Sequence, residues 1–282
     1  NFIRLKNNFK GEQKSGFCQS RNPKKSVKPL PTHKKTHMKS KIKILTADEY
    51  RSEKSIGASD VKHILPPKTP AHYKAYKDGL LRRVESKAFT IGTLCHTAIL
   101  EPDLLDDAYV VKPSEIDFRR KEGKAWKEQH EGRLIIDESD DSMLHSIRAN
   151  ISSHKYASKL VKNGLHEVSV FATHRSGLPV KGRLDILGRE NPGEYVADVK
   201  TCEAADMQSF SSTIFRYNYH VQAAMYCMLA EVEKFFFICV EKTPPYAIAV
   251  YQLDDRALAL GRRNLNRALE TIASCEEKDE WP

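Results

Sequence analysis

The runs Lys181-Gly182-Arg183-Leu184-Asp185 and Tyr195-Val196-Ala197-Asp198-Val199-Lys200 decide the fold class of this 282-residue chain. In a strand successive side chains alternate faces, so Asp198 and Lys200 project to one side while Val199 points into the core. The link Leu187-Gly188-Arg189-Glu190-Asn191-Pro192-Gly193 is polar and rich in turn formers. It predicts a hairpin that returns Asp185 beside Asp198. Two carboxylates and an amine then share one pocket, which is the inventory of metal-assisted phosphodiester hydrolysis.

Spacing alone does not single this triplet out. An acid, any residue and a lysine also occur at Glu12/Lys14, Asp60/Lys62, Glu85/Lys87, Glu122/Lys124 and Glu276/Lys278, and Asp60-Val61-Lys62 repeats the same tripeptide. Context separates them, because only Asp198 ends an apolar strand with a second acid-ending strand just upstream. The competing reading is a solvated ion pair at a strand end, worth little to stability.

Outward from this pair the pattern alternates helix and strand. Ser55 to Asp60 begins a helix that Pro66-Pro67 ends, Pro70 starts another, and Phe89 to Leu100 is helical. Tyr109-Val110-Val111 reads as a strand, and Ser142 to Val161 as one long helix ending at Asn163-Gly164. Strands are expected at 167–174, 179–187, 194–200, 234–241 and 246–252, with helices at 217–230 and 254–275. Helices flanking a central mixed β-sheet make an α/β core.

At this point the chain resembles a known family. Asp185 with Asp198-Val199-Lys200 looks like the PD-(D/E)xK nuclease signature, and the flanking sequence is similar to the RecE-type (exonuclease VIII) and RecB-like branch. Phe89-Thr90-Ile91-Gly92-Thr93-Leu94-Cys95-His96-Thr97-Ala98-Ile99-Leu100-Glu101-Pro102 resembles the branch's first motif, a helix carrying a histidine. Glu167 in Glu167-Val168-Ser169-Val170-Phe171 resembles the acid that opens the sheet. Tyr219-His220-Val221-Gln222-Ala223-Ala224-Met225-Tyr226 resembles the Gln-xxx-Tyr helix, and Arg119-Arg120-Lys121-Glu122-Gly123-Lys124-Ala125-Trp126 looks like the basic insert of phage-type exonucleases. The likeness covers roughly residues 56 to 275. Leu184 stands where the family name has proline.

The resemblance implies a restriction-endonuclease-like core and a Mg²⁺ site, with Mn²⁺ substituting. Hard divalent ions prefer oxygen ligands and offset the charge that builds on a phosphodiester under attack. Asp185, Asp198 and the Val199 carbonyl are the expected ligands, with His96 and Glu167 completing the shell. Lys200 is the positioned cation, and Gln222 and Tyr226, four apart on one helical face, contact the DNA backbone or brace the metal site. Arg119, Arg120, Lys124, Lys181 and Arg183 are the remaining DNA-contact candidates. The implied activity is degradation of linear double-stranded DNA from its ends, 5′ to 3′, leaving 3′ single strands for phage-type recombination. A homo-oligomeric ring and a single-strand annealing recombinase are the implied partners, in the cytoplasm of a bacterial or phage-infected cell. Two alternatives stay open: a RecB-like or structure-specific endonuclease, and a catalytically inactive DNA-binding or assembly subunit.

Composition bounds the rest. The net charge of +9 is unevenly held: residues 1 to 43 carry thirteen Lys/Arg and one acid, leaving 33 basic and 36 acidic residues, or −3, in 44 to 282. The chain therefore divides into a basic extension, 1–43, and a nuclease domain, 44–282. With Pro23, Pro29, Pro31 and few large apolar residues, the extension is expected to be disordered. It would add salt-sensitive affinity for nucleic acid. A second reading takes it as a dispensable stretch upstream of a start at Met38. No apolar run is long enough to span a bilayer, so no membrane partner is expected. Six cysteines, at 18, 95, 202, 227, 239 and 275, have neither CxxC nor zinc spacing. Free thiols are expected, with no iron-sulfur cluster or zinc.

Overall fold

The structure is a computed structural model that describes residues 2–6, 40–81, 87–189 and 194–282. The strands are β1 (Ile3–Leu5), β2 (Lys41–Lys43), β3 (Tyr109–Val111), β4 (Leu134–Ile136), β5 (Gly164–Thr173), β6 (Pro179–Gly188), β7 (Tyr195–Cys202), β8 (Phe235–Glu241) and β9 (Ile248–Leu253). The helices are α1 (Ala47–Ser52), α2 (Ala58–Val61), α3 (Pro70–Lys77), α4 (Lys87–Leu100), α5 (Leu105–Ala108), α6 (Lys121–Gln129), α7 (Glu138–Ser153), α8 (Ala157–Lys162), α9 (Met207–Arg216), α10 (Tyr219–Ala230) and α11 (Asp255–Lys278). As expected, this is an α/β fold with a central mixed sheet. The seven strands run in the order β1-β9-β8-β7-β6-β5-β2. Of the neighbouring pairs, β7 and β8 alone are parallel.

Strand β8 shows why the sheet lies at the centre. Its run Phe235-Phe236-Phe237-Ile238-Cys239-Val240 is buried throughout, as a strand covered on both faces must be. Phe235, Phe237 and Cys239 join a core with α9, α10 and α11, while Phe236, Ile238 and Val240 join a second core with α4, α7 and α8. Strand β7 splits the same way: Val196 faces the first core, and Tyr195, Ala197 and Val199 the second. Asp198 and Lys200 share the parity of Val196. They therefore face α10.

That regularity fails where the acids lie. Strands β6 and β7 pair only from Gly188↔Tyr195 to Ile186↔Ala197, which confirms the hairpin, although residues 190–193 of its link lie outside the described residues. Before Ile186 the side-chain parity of β6 breaks, since Leu184 belongs to the first core and Ile186 to the second. Asp185 sits at the break. Opposite it on β5, Glu167 has φ 52°, a left-handed conformation that costs a non-glycine residue roughly 1–3 kcal/mol. The adjoining start of β6 is paired by Ile56, whose N–H donates to the Pro179 carbonyl while Lys181 N–H donates to the Ile56 carbonyl, both at 2.9 Å. This bridge sets α2 beside the opening in the sheet.

Three local expectations change. The long helix at 142–161 is two, α7 and α8, because His154 is extended (ψ 115°) and its Nδ1 accepts the Ala157 N–H at 3.1 Å. Helix α9 precedes the expected helix at 217–230, capped by Asp206, which accepts N–H bonds from Gln208 and Ser209 at 3.0 Å. Left-handed Asn218 (φ 56°) separates α9 from α10. Finally, the extension expected to be disordered contributes sheet edges: β1 pairs β9 and buries Ile3, and β2 pairs β5. Residues 1 and 7–39 lie outside the described residues. No described helix is long and apolar enough to cross a membrane.

Candidate active site

The opening between β6 and β7 is filled by side chains from both faces of the sheet. The Val199 N–H donates to Asp185 Oδ2 at 2.8 Å, so a carboxylate replaces the carbonyl that a regular ladder would supply. From the second-core face, α4 brings His96 Nδ1 to 3.3 Å from the same Asp185 oxygen. His96, Glu167 and Asp185 then present ligand atoms that all lie within 4.8 Å of one another. From the first-core face, α10 brings Gln222, whose Nε2 donates to Asp198 Oδ1 at 2.9 Å. Asp198 is fully buried, and its other oxygen is ion-paired with Lys200.

Close approach of α10 to the sheet needs Gly182. A Cβ there would lie 2.7 Å from Leu229 and 3.1 Å from the Tyr226 ring. Tyr226 is buried and hydrogen-bonds Gln222, so its hydroxyl braces the side chain that braces Asp198.

The electrostatics separate the acids. Burial, then the neighbouring Asp185 charge, pushes the Glu167 carboxyl up to about 8, although Arg183 Nε lies 3.0 Å away and opposes the shift. Glu101, at the end of α4's motif, adds to the repulsion. Burial also raises Asp198, but Lys200 pulls against it. For Lys200 burial lowers the pKa, and the Asp198 and Asp185 charges more than offset it, so the ammonium persists. Oxygen and imidazole donors at this spacing, with repelling carboxylates, fit a divalent cation. Its protein ligands would be His96, Glu167 and Asp185. Asp198, expected as a further ligand, lies beside this cluster with its oxygens bound to Gln222 and Lys200.

Other expected contacts fall elsewhere. Lys181 is buried, and its Nζ donates to the carbonyls of Tyr50 and Glu53 at 2.7 and 2.8 Å; it ties α1 to the sheet and is not free for DNA. Arg183 is committed to Glu167. Tyr226 is buried and half-buried Gln222 is bound to Asp198, the bracing alternative of the two expected for this pair. Arg120 and Lys124 are exposed at α6, and exposed Arg119 pairs with Asp117 at 2.9 Å. Sequence reasoning missed Arg183 as counter-ion, Glu101 as added charge, and Lys62. The Lys62 and Lys200 ammoniums lie 5.2 and 5.0 Å from the centre of the same Tyr219 ring.

Residues 57–282 match the PDDEXK-like domain of unknown function (DUF3799). The chain belongs to this family. A comparison with curated proteins finds no match. Among solved structures, a "Putative exonuclease" from Eubacterium rectale shares the fold at 17% identity, with a TM-score of 0.57 over 83% of this chain and 88% of that one. A second, SSO0001, is 16% identical with a TM-score of 0.42 over 79% and 81%. The PDDEXK-like family and the shared fold support a nuclease.

Proposed function

We propose that this PDDEXK-like protein is a divalent-metal-dependent exodeoxyribonuclease of the RecE type, degrading linear duplex DNA 5′ to 3′ to give 3′ tails for recombination. The observation that carries the hydrolytic part is the convergence, at one opening in the sheet, of the His96/Glu167/Asp185 cluster with the Asp198–Lys200 pair. End dependence and polarity rest on the resemblance. Mg²⁺ or Mn²⁺ bound to the cluster would act as a Lewis acid and lower the pKa of water. His96, Glu167 and Asp185 hold the negative pole that fixes such a cation. Asp198 restrains the Lys200 ammonium, and Lys200 offsets charge on the phosphate and orients the attacking water. Gln222 keeps Asp198 from turning, and Tyr226 keeps Gln222 in place. Val199, expected to offer its carbonyl as a ligand, also donates its N–H to Asp185 and so orients that carboxylate.

The test is digestion of linear and covalently closed circular duplex with Mg²⁺ or EDTA. Loss of linear DNA only, abolished by Asp198→Ala, is the expected result, and 5′ against 3′ end labels then read the polarity. Nicking of the circle would replace the exonuclease by a structure-specific endonuclease. Binding of both forms without cutting would leave an assembly subunit. A ring of subunits and an annealing recombinase as partner belong to the same proposal.

A further inference from the structure

The tripeptide Asp60-Val61-Lys62 copies Asp198-Val199-Lys200 without copying its arrangement. Asp60 turns back to accept the Gly57 N–H at 2.6 Å, and Lys62 leaves the end of α2 toward the catalytic lysine. Its ammonium lies 5.2 Å from the Tyr219 ring centre, and Lys200 lies 5.0 Å from the same centre. Among the described residues Lys62 has no ion pair. The Asp198 charge that acts on it is already paired with Lys200.

We propose that Lys62 is a second phosphate-contacting cation of the active site, held on the Tyr219 ring and completed by a backbone phosphate of the bound DNA strand. The proposal rests on the reading that this opening handles a DNA phosphate. A half-buried ammonium beside another ammonium, facing a ring and an Asp198 charge already paired with Lys200, is poorly compensated among the described residues. A ring face contributes about 0.5–2 kcal/mol to a cation and carries no net charge. Burial and then the Lys200 charge pull Lys62 down to about 8, the sign of a cation short of counter-charge. On the far side of Asp198 the cluster is acidic and suited to a cation; on the near side two ammoniums lie 5.2 and 5.0 Å from one ring centre. An anion that bridges the two poles, a phosphodiester, satisfies both. The Ile56 bridge to β6 anchors the start of α2, whose single turn ends at Lys62.

The experiment measures affinity of full-length wild type, Lys62→Met, Lys62→Gln and Lys62→Arg for a short fluorescein-labelled duplex across KCl concentrations. Ca²⁺ replaces Mg²⁺ so that binding precedes cleavage, and a melt accompanies each variant. One lost phosphate contact should flatten the slope of log affinity against log salt by about 0.9 for duplex and 0.7 for single-stranded ends. Affinity at low salt should fall on the order of tenfold in the Met and Gln variants. Lys62→Arg should restore the slope. Melting temperatures should hold or rise, since a repelling charge is removed; a merely structural lysine would lower them and leave the slope alone. Unchanged slope and affinity in folded Met or Gln variants would overturn the proposal. If wild type binds and shows the slope difference yet never cuts with Mg²⁺, the nuclease reading falls while the phosphate contact stands. If wild type cuts and all slopes agree, the reverse holds.

Discussion

The two sides of the opening in the sheet use the same residue types to opposite ends. On the side of Asp198, each carboxylate oxygen has a donor, Gln222 Nε2 on one and Lys200 on the other. On the side of Asp185, carboxylates and an imidazole crowd together with, among the described residues, only the Arg183 guanidinium ion-paired to them. The first arrangement is complete within the chain, whereas the second is short of positive charge. The difference teaches that an acid count does not locate a cation site: what matters is whether the acids outnumber the fixed cations that face them.

The largest expected effect comes from collapsing the deficient side. Asp185→Asn removes the negative charge of a ligand while keeping an oxygen that can accept the Val199 N–H, and activity should fall by roughly 10³-fold, as losing several kcal/mol of charge stabilisation requires; steady-state digestion rates would show it. On the complete side, Lys200→Met should cost about 10²–10³-fold in rate, the range for removing one positioned electrostatic group. Gln222→Ala leaves both poles but frees Asp198 to rotate, and a drop of about 10–100-fold is expected, as for other supporting partners of a site. Rate losses of equal size in all three variants would erase the distinction between pole and brace.

Stability against pH sharpens the comparison. Burial, then Asp185, raises Glu167 from its ordinary 4.5 to about 8, so between these values the folded metal-free chain holds a proton that the unfolded chain has released. Unfolding then releases protons, and stability must fall as pH rises through that window. Added Mn²⁺ should restore it, with a shift in melting temperature that grows from pH 5 to 8. Glu167→Gln should flatten the metal-free profile; a profile as steep as wild type's would remove Glu167 as the source. The smallest effect belongs to Tyr226→Phe, which deletes only the hydroxyl bound to Gln222. A loss of less than about tenfold in rate is expected, within the worth of one buried hydrogen bond.

Much of this division was legible in the sequence, for reasons of period. Alternation along β7 places Asp198 and Lys200 on one face whatever the surrounding fold, and the turn chemistry of the link returns β6 beside it. The break at Asp185 was not legible, because parity is read by assuming a regular strand, and the left-handed Glu167 belongs to no strand pattern. Lys62 stands in one of several acid-x-lysine repeats; its place near the Tyr219 ring depends on the long-range Ile56 bridge, and nothing local encodes it. The interruption at His154 was hidden in the same way, since a side chain capping its own neighbour leaves helical periodicity on both sides intact. Ile3–Leu5 lies in a basic, proline-containing context, yet three residues suffice to pair an edge once β9 offers one. Composition averaged over 43 residues conceals them.

The central claim is that the site has a cation-deficient pole and a self-neutralised pole. Calorimetric titration of metal-free protein with Mn²⁺ tests it most directly, using wild type, Glu167→Gln, Asp185→Asn and Lys200→Met with binding as the readout. The predicted result is that Glu167→Gln and Asp185→Asn lose Mn²⁺ binding by tenfold or more while Lys200→Met retains it. Retained binding in both acid variants would contradict the account and move the cation elsewhere.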